Sequence, residues 1–123
     1  MQINEITTFT KLDTWKYSHL LAIAVLEACK AMPTHNSLRK QIERSAISIT
    51  SNIAEGFGRQ TIQDKKHFYV ISRGSAFELQ NQLLLARDIG LINKEDFDKL
   101  ANLSLDSIRL LHGLIRSTTV KNV

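Results

Sequence analysis

The sequence is poor in the residues that cross-link or punctuate small proteins. A single cysteine, Cys29, stands among 123 residues, which excludes an internal disulfide framework. It falls on an apolar helical stripe, so a buried thiol is expected rather than a reactive one. One proline and five glycines are too few for the many turns of an all-β chain, and no alternating strand carries hairpin punctuation. The longest uncharged apolar run, Leu20 to Leu26, is far too short to cross a bilayer. The opening "MQINEITTFTKLD" lacks the basic-then-apolar order of a signal peptide. The expected location is the cytoplasm, with no membrane partner.

What the chain does have is helix-forming residues and enough apolar ones, 43%, for a core. One domain spanning 1–123 is expected. Helix 1 should run from about 14 to 31, capped by Asp13 or Thr14 and closed off by Pro33. Helix 2, about 37–57, starts after Asn36 or Ser37. Thr61 with Asp64 resembles a capping box and opens helix 3, about 62–89. Gly90 suits the left-handed residue after that helix. Asn93 caps helix 4, about 94–117, with Glu95 and Asp96 where the dipole favours acids. The tail "STTVKNV" should fray. Short connections between helices roughly 30 Å long predict an all-α, antiparallel up-down four-helix bundle.

The segment "SNIAEGFGRQTIQD", 51–64, is then a corner, with Gly56 or Gly58 letting the chain leave helix 2. It lacks the strand and the lysine of a phosphate-binding loop. Glu55 sits near a helix C-terminus, where an acid needs a cation, and Arg59 or Arg44 could supply it.

Counting apolar faces suggests assembly. Helix 4 has one inward stripe: Phe97, Leu100, Ser104, Ile108, Leu111 and Ile115. Helix 2 places Leu38, Ile42, Ser45, Ile49 and Ile53 inward, with Ile47 and Ala54 pointing away. Helix 3 has a main stripe of Phe68, Ile71, Ser75, Leu79, Gln82, Ala86 and Ile89. A heptad-spaced second set, Val70, Phe77 and Leu84, lies almost opposite. Helix 1 likewise has Trp15, Ala22, Leu26 and Cys29 on one side, and Tyr17, Leu21, Ala24 and Ala28 on another. One bundle of this size cannot bury both sides of three helices, so Tyr17, Leu21, Ile47, Val70, Phe77 and Leu84 are the candidate self-association surface. A wide core in an irregular bundle is the alternative.

Chemical motifs are scarce. No Glu-x-x-His pair supports a di-iron site, and the four histidines have no i, i+4 partner for a metal. Gly74-Ser75 lacks a nucleophile elbow. Neither Arg59 to His67 nor Arg109 to His112 has the Arg-to-His spacing of helical-bundle ribonucleases. No enzyme, cofactor or metal is expected. The net charge of +4 is unevenly spread. From Arg39 to Arg73 there are seven basic residues against three acids, and from Asp88 to Asp106 five acids against two lysines. Arg39, Lys40, Arg59, Lys65, Lys66 and Arg73 are the candidate contacts to RNA or DNA phosphates, a binding mode that needs a cationic surface more than a motif. The polar lane of helix 2 (Arg44, Ser48, Ser51, Glu55), with Gly74 and Glu78 of helix 3, reads as a salt-bridged seam between helices rather than a ligand site.

"QIERSAISITSNIAEGFGR" followed by "FYVISRGSAFELQNQLLLARDIGLI" closely resembles the helical-bundle proteins encoded in intervening sequences of bacterial 23S rRNA genes. These often carry a ribosomal-protein-like label, and the accessory variability protein of diversity-generating retroelements is a relative. The resemblance spans about Leu12 to Ser117. It implies a bundle assembling as a homopentameric ring, with no established activity; the retroelement relative is thought to bind nucleic acid and a reverse transcriptase. It also marks Asn52, Glu55, Gly56, Gly74, Ser75 and Glu78 as signature positions. With Arg44 pairing Glu55 or Glu78, these are expected to serve architecture. A protein-interaction scaffold without nucleic-acid binding is the alternative function.

Overall fold

The protein, described here by a computed structural model over residues 8–119, is all-helical, with no strand among those residues. A short 3-10 turn, Phe9–Lys11, precedes α1 (Asp13–Cys29), α2 (Ser37–Phe57), α3 (Ile62–Asp88) and α4 (Lys94–Ser117). The expected fraying of the tail falls from residue 120 onward outside the described residues, as do the first seven positions of the N-terminal stretch.

Side-chain caps fix three helix starts. Asn36 accepts from the Arg39 amide, Thr61 from that of Asp64 and Asn93 from that of Asp96, each satisfying one orphan donor. Helix α1 differs from expectation. Leu12 holds its cap position without a side-chain bond, while Thr14 turns inward and donates to the Leu110 carbonyl of α4 at 3.3 Å. At the end of α3, Gly90 takes φ +75°, the Leu91 amide bonds back to the Ala86 carbonyl and the Gly90 amide to that of Arg87. This is a Schellman stop. Helix α2 ends otherwise: Gly58 is right-handed, at φ −77°. The last α2 turn is closed by the Lys65 ammonium, 2.7 Å from the Phe57 carbonyl, where the dipole favours a cation.

Around the bundle, α1 packs on α2 and α4, and α3 packs on the same two helices, so α1 and α3 stand at opposite corners. The core comprises Leu21, Val25, Cys29, Ile42, Ile49, Ile53, Leu79, Leu83, Leu100 and Leu111, with alanines between. Leu21, expected on a second face, is fully buried here and is removed from the assembly surface. The inner face of α3 is also rotated from the expected stripe: Tyr69, Ser72, Ala76 and Leu83 are buried, while Ile71 and Ile89 are exposed. The reason is the α2–α3 seam. Ser72 donates to the Ile49 carbonyl at 2.7 Å, the Ser48 and Ser75 hydroxyls lie 2.7 Å apart, and Ser45 donates to Glu78 at 3.0 Å. Small hydroxyls thus take the contact positions, and the bulky isoleucines turn outward.

Gly56 is part of this close approach. A Cβ there would lie 2.7 Å from Tyr69 Cε1 and 3.1 Å from Phe68 Cβ. Gly74, read from sequence as part of the α2–α3 seam, has nothing within 4 Å of the same position. Gly56→Ala should therefore destabilise the chain by about 1–2 kcal/mol through overpacking, whereas Gly74→Ala should stabilise an isolated chain by about 0.5–1 kcal/mol. Urea unfolding of both variants checks the opposite signs.

Burial, and after it the Glu43 carboxylate, push the Cys29 thiol from 9.0 up to about 11, against a smaller pull from Arg39. The unfolded chain then releases this proton before the folded one, so folding stability falls as pH rises past 9. Cys29→Ala should remove that part of the alkaline slope. In the native protein a thiol reagent at neutral pH should react only as fast as the chain opens.

Candidate functional site

The six candidate phosphate contacts fall into two groups. Four are engaged within the chain. Arg39 donates to the Met32 carbonyl at 2.7 Å and approaches Glu43 at 3.6 Å, with its side chain only 16% exposed. It ties the α1–α2 corner together. Arg59 pairs with Glu55 at 2.8 Å, the cation that this acid requires, and stacks on the Phe68 ring at 4.6 Å. Lys65 serves the α2 terminus and lies over Phe57. Arg73 bonds His112 Nδ1 at 3.1 Å across α3 and α4. A guanidinium can only donate, so Nδ1 is the acceptor in this contact. Lys40 and Lys66 have no hydrogen-bond or ion-pair partner among the described residues.

Of the signature positions, Asn52, Ser75 and Glu78 meet at the α2–α3 seam and Gly56 packs against Tyr69, while Glu55 pairs with Arg59 at the end of α2 and Gly74 lies open. Asn52 donates to the Ser48 carbonyl at 2.8 Å and to its hydroxyl at 3.0 Å, and Ser48 meets Ser75. Glu78 is satisfied by Ser45 and Glu55 by Arg59, so neither uses Arg44. The Arg44 guanidinium is exposed and unpaired among the described residues. Its role passes to Ser45, one position on, because Ser45 faces α3 while Arg44 faces outward.

Several structural contacts were not singled out from sequence. Ser18 and Ser107 bond at 2.6 Å between α1 and α4, and Gln80 donates to Ser104 at 3.0 Å between α3 and α4. Hydroxyls at three- and four-residue spacing on facing helices were the available signal. Tyr69 is buried, and burial pushes its phenol above the ordinary value. It borders a cavity of about 360 Å³ at the bundle end, with Leu12, Phe57, Lys65 and Leu114. His19 stacks on Trp15 at 4.4 Å. No group of three metal-ligating side chains occurs among the described residues, and no described helix is long and apolar enough to cross a membrane.

The apolar candidates Tyr17, Ile47, Val70, Phe77 and Leu84 are all exposed, Phe77 by 50%. Leu20, Ile23 and Leu105, not among them, are exposed to a similar degree. The cation inventory separates structural from surface roles. Arg39→Ala should lower unfolding free energy by about 1.5–3 kcal/mol, since it removes charge-assisted bonds from a largely covered group. Lys40→Ala should change it by less than about 0.5 kcal/mol. Urea unfolding at matched ionic strength checks both.

The comparisons with known proteins agree with this architecture. No curated protein matches the chain. A crystal structure from Bacteroides thetaiotaomicron, described as a protein with unknown function from the S23 ribosomal protein family, is similar. It is 25% identical, with a TM-score of 0.80 over 85% of this chain and 99% of the other. The family model for the 23S rRNA-intervening sequence protein matches residues 10–113, from just before α1 to the last turns of α4. With nearly the whole bundle inside that match, the chain belongs to the 23S rRNA-intervening sequence protein family.

Proposed function

We propose that this protein is a non-enzymatic, antiparallel up-down bundle that self-associates as a homo-oligomeric ring, pentameric as the family resemblance implies. In the cytoplasm that ring would present a cationic band to structured RNA or DNA. The observation that carries assembly is the exposed, heptad-spaced stripe of Val70, Phe77 and Leu84, with the open Gly74 on the same face. Half-covered side chains of this size gain about 1 kcal/mol each when a partner completes their burial. The antiparallel reading rests on the bonds between helices. Positions 45, 48 and 49 of α2 pair with 78, 75 and 72 of α3, so one number falls as the other rises. A structural rather than catalytic use of the hydroxyls is supported by their commitment to these seams.

Nucleic-acid binding would draw first on the unpaired Lys40, Arg44 and Lys66, multiplied by the ring. The second reading, a protein-interaction scaffold, is favoured by one observation: Arg39, Arg59, Lys65 and Arg73 already have intramolecular partners.

Two variants separate these readings. Phe77→Asp puts a charge into the stripe and should reduce the native mass to that of one chain, read by sedimentation. An unaltered multi-copy mass would remove this face from the assembly. Lys40→Glu with Lys66→Glu should weaken binding to a structured RNA and flatten the fall of log affinity with log salt, while leaving the native mass alone. Absence of binding by the parent protein even at low salt selects the scaffold reading.

A further inference from the structure

The end of the bundle where α1 and α3 begin and α2 and α4 finish holds a cavity of about 360 Å³. That volume lies within the range of small-molecule pockets. Leu12, Phe57 and Leu114 give it apolar walls, and Lys65, Tyr69 and Thr118 bring polar atoms to it.

Tyr69 carries the argument. Only 3% of the residue is exposed, and one edge of its ring faces Gly56. Its hydroxyl bonds nothing among the described residues. Nor is that hydroxyl sealed in the core: among the described residues Gln82 Oε1 is the buried side-chain atom left with no partner. The phenol therefore opens into the cavity that Tyr69 lines. Burial pushes it above its ordinary value, with no hydrogen bond contributing, so it stands there as a neutral O–H donor. Folding takes a hydrogen bond to water from such a donor, and the chain supplies no replacement.

Lys65 adds further donors. Its ammonium gives one N–H to the Phe57 carbonyl at 2.7 Å and keeps two. No carboxylate pairs with it among the described residues. The carbonyls at this end are already occupied. That of Phe57 holds Lys65, and that of Leu114 accepts from the Thr118 amide at 3.1 Å, the Thr118 hydroxyl at 2.6 Å and the Ser117 hydroxyl at 3.1 Å. Helix α1 starts here at Leu12 with no side-chain cap, which leaves the positive end of its dipole uncovered. An apolar hollow is thus bordered by spare donors, and Lys65 is the charged residue that lines it. A cation would meet that ammonium, and a neutral alcohol would leave its donors unused.

We propose that this cavity binds a small amphipathic carboxylate. Its apolar body would lie against Leu12, Phe57 and Leu114, and its carboxylate would accept from the Tyr69 hydroxyl and the Lys65 ammonium. Charge-assisted bonds of this kind are the stronger ones. Neither assembly nor polyanion binding requires this site.

Octanoate is the probe, titrated into the isotope-labelled protein at constant salt and followed by heteronuclear NMR, with octanol and octylammonium as comparisons. The site predicts saturable shifts at the amides of Lys65, Tyr69, Leu114 and Thr118, and binding of octanoate about tenfold tighter than of either comparison. Tyr69→Phe should weaken octanoate about tenfold. It should leave the urea midpoint of the ligand-free protein unchanged or higher, because the hydroxyl it removes bonds nothing in the chain. A lowered midpoint with unchanged affinity would make Tyr69 purely structural and overturn the proposal. Lys65→Met keeps the stem and should abolish the preference for octanoate over octanol. Leu114→Trp, which fills the cavity from α4, should block all three molecules. The proposal is also overturned by equal affinity for octylammonium, by shifts centred elsewhere on the bundle, or by no saturable shift up to about 10 mM, weaker than any specific site of this size should be.

Discussion

The seam of small hydroxyls between α2 and α3 is the constraint on which the rest of the molecule depends. Ser45, Ser48, Ser72 and Ser75 are short enough to let the two helices approach closely, and each bond across the seam satisfies a polar group in place of water. Each such bond contributes only about 0.5–1.5 kcal/mol net. Its larger effect is on register, because a hydroxyl meets its partner at one offset and a leucine tolerates several. The same device recurs on the other side of the bundle, where Ser18 meets Ser107 and Thr14 reaches the Leu110 carbonyl. Once these positions are fixed, the orientation of α3 follows. Leu79 and Leu83 enter the core, and Val70, Phe77 and Leu84 are left facing water.

The cations show a similar division of labour. A long basic side chain can cap a helix end, pack its stem on an aromatic ring, or stay in solvent. Lys65 does the first and lies over Phe57 as well. Arg59 bonds the acid that the α2 terminus would otherwise disfavour, and it covers Phe68. Basic residues near 39–73 therefore do not translate directly into a phosphate-binding surface. The outward face of α2, with Lys40, Arg44 and Ser51, keeps its charge for solvent or a ligand.

Much of the fold was legible because it depends on local chemistry. Asn36, Thr61 and Asn93 cap as their side chains dictate, and Gly90 stops α3 in the left-handed conformation that favours glycine over other residues. The apolar face of α4 was legible for the same reason, since that helix buries a single stripe. Less was legible where the decision is tertiary. Ile71 and Ile89 belong to the core on hydropathy alone, and only the serine seam turns them outward. Thr14 resembles a cap but finds a carbonyl on α4. Leu21 is fully buried because the inner arc of α1 is centred on Leu21 and Val25 rather than on Trp15 and Leu26. Gly56 and Gly74 are alike in sequence, yet Tyr69 stands against one and nothing in the chain stands against the other. At the site, the residue types of the polar seam were legible. The choice of Ser45 over Arg44 as the partner of Glu78 was not, because one residue of helical phase separates an inward from an outward side chain.

The cyclic order of the helices links assembly to charge. Suppose that the α1 and α3 corners are the ones that meet between copies. Helix α2 lies between those corners on one side of the bundle, and α4 lies between them on the other. Repetition of that corner contact around a ring would then line up the α2 faces along one side of the assembly and the α4 faces along the opposite side. Lys40 and Arg44 would recur at each step on the first side, and the acids of α4, Glu95 and Asp98 among them, on the second. A chain whose net charge is only +4 would thus acquire a cationic side without any further basic residue. Repeated phosphate contacts draw their strength from such summed, salt-sensitive attraction. In this arrangement assembly is the condition for polyanion binding, because separate copies hold too few unpaired cations in one place.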